Sequence, residues 1–263
     1  MKPEGSSPLP GDDHVENGRG TSNRAVSSPR GRSWELAWLF VAFGAAATLL
    51  LAFGALADLV LNSDTTAFDR RIFLLFRDPA DMTHAIGPAW LPEAMRDLTG
   101  LGSTLVLGLI LTAALGYLFL AKKRGALLLI LVSVLGGQLI STLLKIAFAR
   151  PRPDLVANAP HVFTASFPSG HATLAAVTYL TLGALLMRLE TTRALKVYVV
   201  ILSVILTVAI GVSRIYVGVH CPTDVLGGWC VGSAWAIICW TVASRLQRRG
   251  KVENLRTYTR REG

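Results

Sequence analysis

The sequence predicts an all-α, polytopic membrane protein with six transmembrane helices, and three observations carry that prediction. The 263 residues are 52% hydrophobic and 16% charged, with a mean hydropathy of +0.48. A soluble domain carries nearer ~25% charged residues. The charges gather at the two ends and in short clusters between long apolar runs. Six of those runs come close to the ~20 apolar residues that a helix needs to cross the hydrocarbon core.

Taken in order, residues 1–33 are rich in Gly, Ser, Pro and charge and have almost no apolar periodicity. Such a stretch buries too little surface to fold alone and is too polar for an ordinary signal peptide, so a disordered cytoplasmic tail is expected. A six-span domain then covers 34–245, with spans near 34–60, 101–121, 125–148, 171–188, 197–217 and 224–245. Between the first two spans, residues 61–100 mix Phe, Leu, Ile and Trp with charges. That mixture predicts short amphipathic helices lying along the interface. Residues 246–263 form a basic C-terminal tail.

Basic residues set orientation. They collect in the N-terminal tail, at Lys122-Lys123-Arg124, between Arg188 and Lys196, and in the C-terminal tail from Arg245 to Arg261. Both termini are therefore expected in the cytoplasm of an inner (plasma) membrane protein, with 61–100, 149–170 and 218–223 outside. The formal charge of +9 belongs to this pattern and to anionic lipid. No basic stripe with interleaved aromatics suggests a nucleic-acid partner. Oligomeric state is not legible. Cys221, Cys230 and Cys239 give neither an even disulfide framework nor a Cys-x-x-Cys pair. Cys230 and Cys239 sit in an apolar run as packing residues, whereas Cys221 could be exposed.

Three polar clusters interrupt the apolar pattern, and all fall on the outer side. They are "KIAFARPRP" with Lys145 and Arg152-Pro153, "PSGH" from Pro168 to His171, and "SRIYVGVHCPTD" with Ser213-Arg214, His220 and Asp224. Lys145, Arg152 and Arg214 supply cations, and the arginine fork matches phosphate oxygens. Ser169 and Gly170 open the fourth span, where a helix N-terminus favours an anion. His220 and Asp224 are four apart and neighbours on one face if the helix starts at about Cys221 or Pro222. A carboxylate that holds one imidazole nitrogen makes the other a better nucleophile. His171 is a second imidazole able to protonate a departing oxygen. Taken singly, the cations also read as snorkelling residues at span ends. As an ordered set on the outer face, they run against the charge rule, and ionisable groups near a membrane core usually have a function.

Lys145-x6-Arg152-Pro153, then Pro168-Ser169-Gly170-His171, then Ser213-Arg214-x5-His220-x3-Asp224 resemble the three-part signature of the type-2 phosphatidic acid phosphatase superfamily. The resemblance implies that Lys145, Arg152, Ser169, Gly170 and Arg214 hold phosphoryl oxygens. It further implies that His220 is the nucleophile forming a phosphohistidine, that Asp224 orients it, and that His171 is the acid. No metal or other cofactor is implied. Arg150 stands outside the signature and is expected at the rim at most. The active site is expected at the outer ends of spans three to six. The implied activity is hydrolysis of a lipid phosphate or diphosphate, with undecaprenyl diphosphate slightly favoured over phosphatidylglycerol phosphate and phosphatidic acid. The alternatives are a lipid phosphotransferase and a non-catalytic lipid-binding or transport protein.

Overall fold

A computed structural model of the chain describes residues 29–151 and 165–248, with side chains over 37–151 and 165–247. Among the described residues there are eight helices and no strand. They are α1 (Pro29–Leu61), α2 (Thr66–Leu74), α3 (Leu91–Gly100), α4 (Thr104–Leu120), α5 (Arg124–Phe148), α6 (Gly170–Leu189), α7 (Arg193–Tyr216) and α8 (Pro222–Arg248). Helices α1, α5, α6, α7 and α8 are each long and apolar enough to cross a membrane; α3 and α4, joined at a 48° bend, make up to a sixth span. The expected tails fall mostly outside the described residues, although α1 opens at Pro29 rather than near residue 34.

The second span differs from its expected form. Ser103 is extended (φ −71°, ψ 150°) and its Oγ accepts a hydrogen bond from the Val106 N–H at 3.2 Å. That N-cap starts a fresh helix, so α4 has only 17 residues and the chain bends into α3.

Helix α6 is the centre of the bundle, flanked by α5, α7 and α8. Its packing depends on small residues. A Cβ on Gly228 would lie 2.9 Å from the Ala172 Cβ, and one on Gly232 would lie 2.5 Å from the Thr173 carbonyl oxygen and 2.8 Å from the Ala176 Cβ. Spaced four apart, the two glycines let α8 approach α6 backbone to backbone, as small residues do where helices pack in lipid. Gly232→Val is therefore expected to push the two helices apart and cost about 1–3 kcal/mol. A thermal unfolding midpoint in detergent equal to that of wild type would count against this packing.

Helix α4 leans two ways. Near its start, Leu107 packs with Leu174 and Ile210 of α6 and α7. Towards its end, Leu111, Ala114, Leu115 and Leu118 pack around Ala126, Leu129 and Ile130 of α5. The two helices thus meet at one end of the bundle and part at the other. Outward-facing Leu105, Leu109, Phe119, Leu120, Leu135 and Leu139 are well exposed, as lipid contact requires. At the end where α4 meets α5, Arg188 of α6 stacks 3.9 Å over the Trp240 ring and donates to Gln247 and Ser244, joining α6 to α8.

The 61–100 segment forms short helices as expected, but it does more than lie along a surface. Asp69 and Arg77 are 3% and 4% exposed. The Arg77 Nη2 donates to the Tyr216 carbonyl at 2.9 Å, and the Tyr216 hydroxyl donates to the Ile86 carbonyl at 2.8 Å. The segment is fastened onto the ends of α7 and α8.

Candidate active site

The end of the bundle where α4 and α5 part holds a cavity of about 870 Å³, lined among others by Lys145, Arg150, Gly170, His171, Arg214 and His220. Each comes from a different local construction. Lys145 lies in the last turn of α5, which closes at Ala149 in the left-handed conformation (φ 44°, ψ 25°). Its Nζ donates to the Ala165 carbonyl at 3.0 Å, holding the start of the PSGH loop against α5. The loop is fixed from behind by Phe167, fully buried, which stacks on Phe53 at 5.6 Å and meets Phe148 edge-on at 5.0 Å. The Phe167–Pro168 peptide bond is cis.

Ser169 is the N-cap of α6, yet its hydroxyl makes no cap bond. It is fully buried, and Oγ has no partner among the described residues. The Ser169 N–H instead donates to the Asp224 carbonyl at 2.9 Å, locking the start of α6 to the start of α8. Gly170 begins the helix beside Lys145, whose Nζ would lie 3.7 Å from a Cβ there. Arg214, in the last turn of α7, donates from Nη1 to the Thr99 hydroxyl of α3 at 3.1 Å. Gly102 makes room for Ile210 of α7, whose Cγ2 would lie 2.5 Å from a Cβ at that position, and His171 packs alongside with its Cδ2 at an ordinary 3.4 Å.

The start of α8 explains the His220–Asp224 pair. With Cys221 as N-cap and Pro222 at N1, Asp224 is N3, and its Oδ2 accepts the Cys221 N–H at 2.9 Å. This is the back-reaching half of a capping box. The same Oδ2 stands 3.3 Å from His220 Nδ1, long for an N–H···O bond. His220 therefore sits just before the helix rather than on its face, and the N3 side chain reaches back to it. Both residues are almost fully buried.

Arg150, expected at the rim at most, instead lies between two buried carboxylates. Its Nη1 donates to Asp224 Oδ1 at 2.6 Å and to the Thr223 hydroxyl at 2.9 Å; its Nη2 donates to Asp69 Oδ2 at 2.9 Å and to the Thr65 hydroxyl at 3.3 Å. Burial works against its charge, but Asp224 and Asp69 outweigh that, so its pKa is raised. Asp69 in turn accepts the Thr223 N–H at 2.9 Å and the Thr223 hydroxyl at 2.8 Å. A carboxylate from α2 thus caps α8 from another part of the chain. Nothing in the three sequence clusters points to Asp69. The available hint was charge balance, since Lys145, Arg150, Arg152 and Arg214 outnumber the single Asp224 within those clusters.

Of the eight expected site residues, Lys145, Gly170, His171, Arg214 and His220 line one cavity. Ser169 and Asp224 are buried beside it, and Arg152 lies outside the described residues. Cys221, expected as possibly exposed, is buried, and burial followed by Asp224 pushes its thiol up.

Residues 126–248 match the family described as the PAP2 superfamily. Phosphatidylglycerophosphatase B of Bacillus subtilis (strain 168) is 39% identical over 145 residues, which are 54% of this chain and 70% of that protein. The chain belongs to the PAP2 superfamily. Decaprenylphosphoryl-5-phosphoribose phosphatase of Mycobacterium tuberculosis (strain ATCC 25618 / H37Rv) is 34% identical over 148 residues, 55% of this chain and 77% of that one. Among solved structures, the transmembrane PAP2-type phosphatidylglycerolphosphate phosphatase from Bacillus subtilis is similar with a TM-score of 0.67 and 30% identity. The similarity covers 77% of this chain and 98% of that one. The chain is a PAP2-type phosphatase in a multi-pass membrane bundle.

Proposed function

We propose that the chain hydrolyses a membrane-anchored phosphate without a metal, through a phosphohistidine on His220. The observation that carries this reading is the His220–Asp224 pair opening on a cavity shared with Lys145, Arg214, His171 and the start of α6. Asp224 at Nδ1 fixes the tautomer in which Nε2 holds the attacking lone pair. Nε2 attacks phosphorus, the phosphorus–oxygen bond to the lipid breaks, and His171 gives its proton to the departing oxygen. Water then attacks the phosphohistidine, loses a proton to His171, and inorganic phosphate leaves as the phosphorus–nitrogen bond breaks. Lys145, Arg214, the N–H groups at the start of α6 and, from the sequence signature, Arg152 hold the phosphoryl oxygens as charge grows on them. The buried Ser169 hydroxyl, which has no partner among the described residues, fits a donor reserved for such an oxygen.

The site is read as facing the outside of the inner membrane, with both termini in the cytoplasm, because basic residues collect at the other ends of the spans. The substrate is a lipid phosphate or diphosphate; relatives are named for phosphatidylglycerophosphate, for decaprenylphosphoryl-5-phosphoribose and for undecaprenyl diphosphate. Purified protein in detergent is expected to release phosphate from at least one of phosphatidylglycerol phosphate, phosphatidic acid and undecaprenyl diphosphate. No release from any of the three would refute the reading. Lys145→Ala and Arg214→Ala should each cost about 2–4 kcal/mol in the transition state, roughly 30- to 1,000-fold in kcat/KM.

A further inference from the structure

Arg214 belongs to α7, but a contact that holds its side chain comes from α3. Its Nη1 donates at 3.1 Å to the hydroxyl of Thr99, in the last turn of that helix. An arginine side chain is long and rich in rotamers, so the helix that carries it does not by itself aim the fork.

Thr99 is built for this contact. Thr112, Thr142, Thr173 and Thr207 each donate their hydroxyl to the carbonyl four residues back in the chain. The Thr99 hydroxyl instead makes its one side-chain hydrogen bond among the described residues with α7. The backbone around it is pinned from two sides. The Gly102 N–H donates to the Thr99 carbonyl at 3.0 Å as α3 turns toward α4, and the Leu101 carbonyl accepts the Tyr179 hydroxyl of α6 at 2.9 Å. Lacking a Cβ, Gly102 lets Ile210 of α7 reach the same corner. The α3–α4 corner is thus fastened to α6 and α7, and the Thr99 hydroxyl has a fixed place beside Arg214. The cavity wall includes Gly102 and Arg214 but not Thr99, so Thr99 acts through the arginine and not on the substrate.

The chemistry of the acceptor matters. Arg150, at the same end of the bundle, is gripped by the carboxylates of Asp224 and Asp69, which turn its charge to holding the fold. A hydroxyl accepts from a guanidinium without cancelling its charge. We infer that Thr99 is a positioning residue for phosphoryl transfer: its hydroxyl holds one nitrogen of the Arg214 fork so that the rest of the fork meets the phosphoryl oxygens. The inference rests on the phosphatase reading above and adds a residue from outside the three sequence clusters. A donor aimed in advance needs no reordering when charge develops on the phosphoryl group, whereas an unheld fork must be ordered at that moment.

The test measures kcat/KM for phosphatidylglycerol phosphate, phosphatidic acid and undecaprenyl diphosphate in detergent micelles. It compares wild type, Thr99→Val, Thr99→Ser, Arg214→Ala and the double variant Thr99→Val with Arg214→Ala. Valine keeps the outline of threonine and removes the hydroxyl. On every substrate that wild type cleaves, Thr99→Val should fall about 10- to 30-fold, the size of one hydrogen bond to a charged group. Thr99→Ser, which keeps the acceptor, should stay within about threefold of wild type. Once Arg214 is alanine, the valine substitution should change the rate by less than about twofold, because two residues that act as a unit are not additive. Three results would overturn the inference: Thr99→Val as fast as wild type, Thr99→Ser as slow as Thr99→Val, or an equal loss with and without Arg214. The last is what a general loosening of α3 would give. Wild type that releases no phosphate from any of the three lipids would overturn the phosphatase reading, and this inference with it.

Discussion

His220→Ala is expected to lower phosphate release by about 10⁴-fold or more while the protein still folds. Loss of a covalent nucleophile removes the whole two-step route rather than one favourable contact, which is why such variants fall so far. The fold should survive because Asp224, which faces the imidazole, keeps its bonds from Arg150 and the Cys221 N–H. The measurement is steady-state phosphate release together with acid-labile labelling of the protein by a radiolabelled lipid phosphate. Wild type should take up label and the variant should not. Activity within a hundredfold of wild type, or label retained in the variant, would remove His220 from the role.

The second large effect is on stability. Arg150→Met leaves Asp69 and Asp224, 3% and 0% exposed, without the guanidinium that lies between them. Breaking a buried ion pair from one side costs about 3–5 kcal/mol, because the remaining charges stay desolvated. A clear drop in thermal midpoint is expected, together with lost turnover as Asp224 ceases to hold His220. Adding Asp69→Asn to this variant should restore part of the stability, since it removes one of the two stranded charges. Arg150→Met unfolding at the wild-type midpoint would show that the cluster does not hold this end together.

Much of this was legible in the chain because a bilayer makes polar residues conspicuous. Lys145, Gly170, His171, Arg214 and His220 stand out against apolar runs, and helix ends place them together without any knowledge of tertiary contacts. Other features depend on contacts that no local pattern encodes. Asp69 sits in a nine-residue amphipathic helix that reads equally well as a surface helix; only its meeting with Thr223 and Arg150 gives it a part. Arg150 stands two residues from the signature Arg152, and spacing alone does not say that it turns toward the carboxylates. The bend at α3–α4 follows from the Ser103 cap, which stands two residues inside the apolar run expected to begin at Leu101. Gln138 and Thr142 look like an ordinary internal pair on α5 until the divergence of α4 exposes them to the cavity.

The capping of α8 by Asp69 has a consequence for biogenesis. Individual spans can form and enter the bilayer from local sequence alone, but the contact between Asp69 and Thr223 closes across 154 residues, and Arg150 must arrive between them. Long-range closures of this kind come late, after their entropic cost has been met by other contacts. A half-assembled chain would own every helix and still lack the Asp69 cap on α8. On the proposed mechanism, activity then reports that assembly has finished.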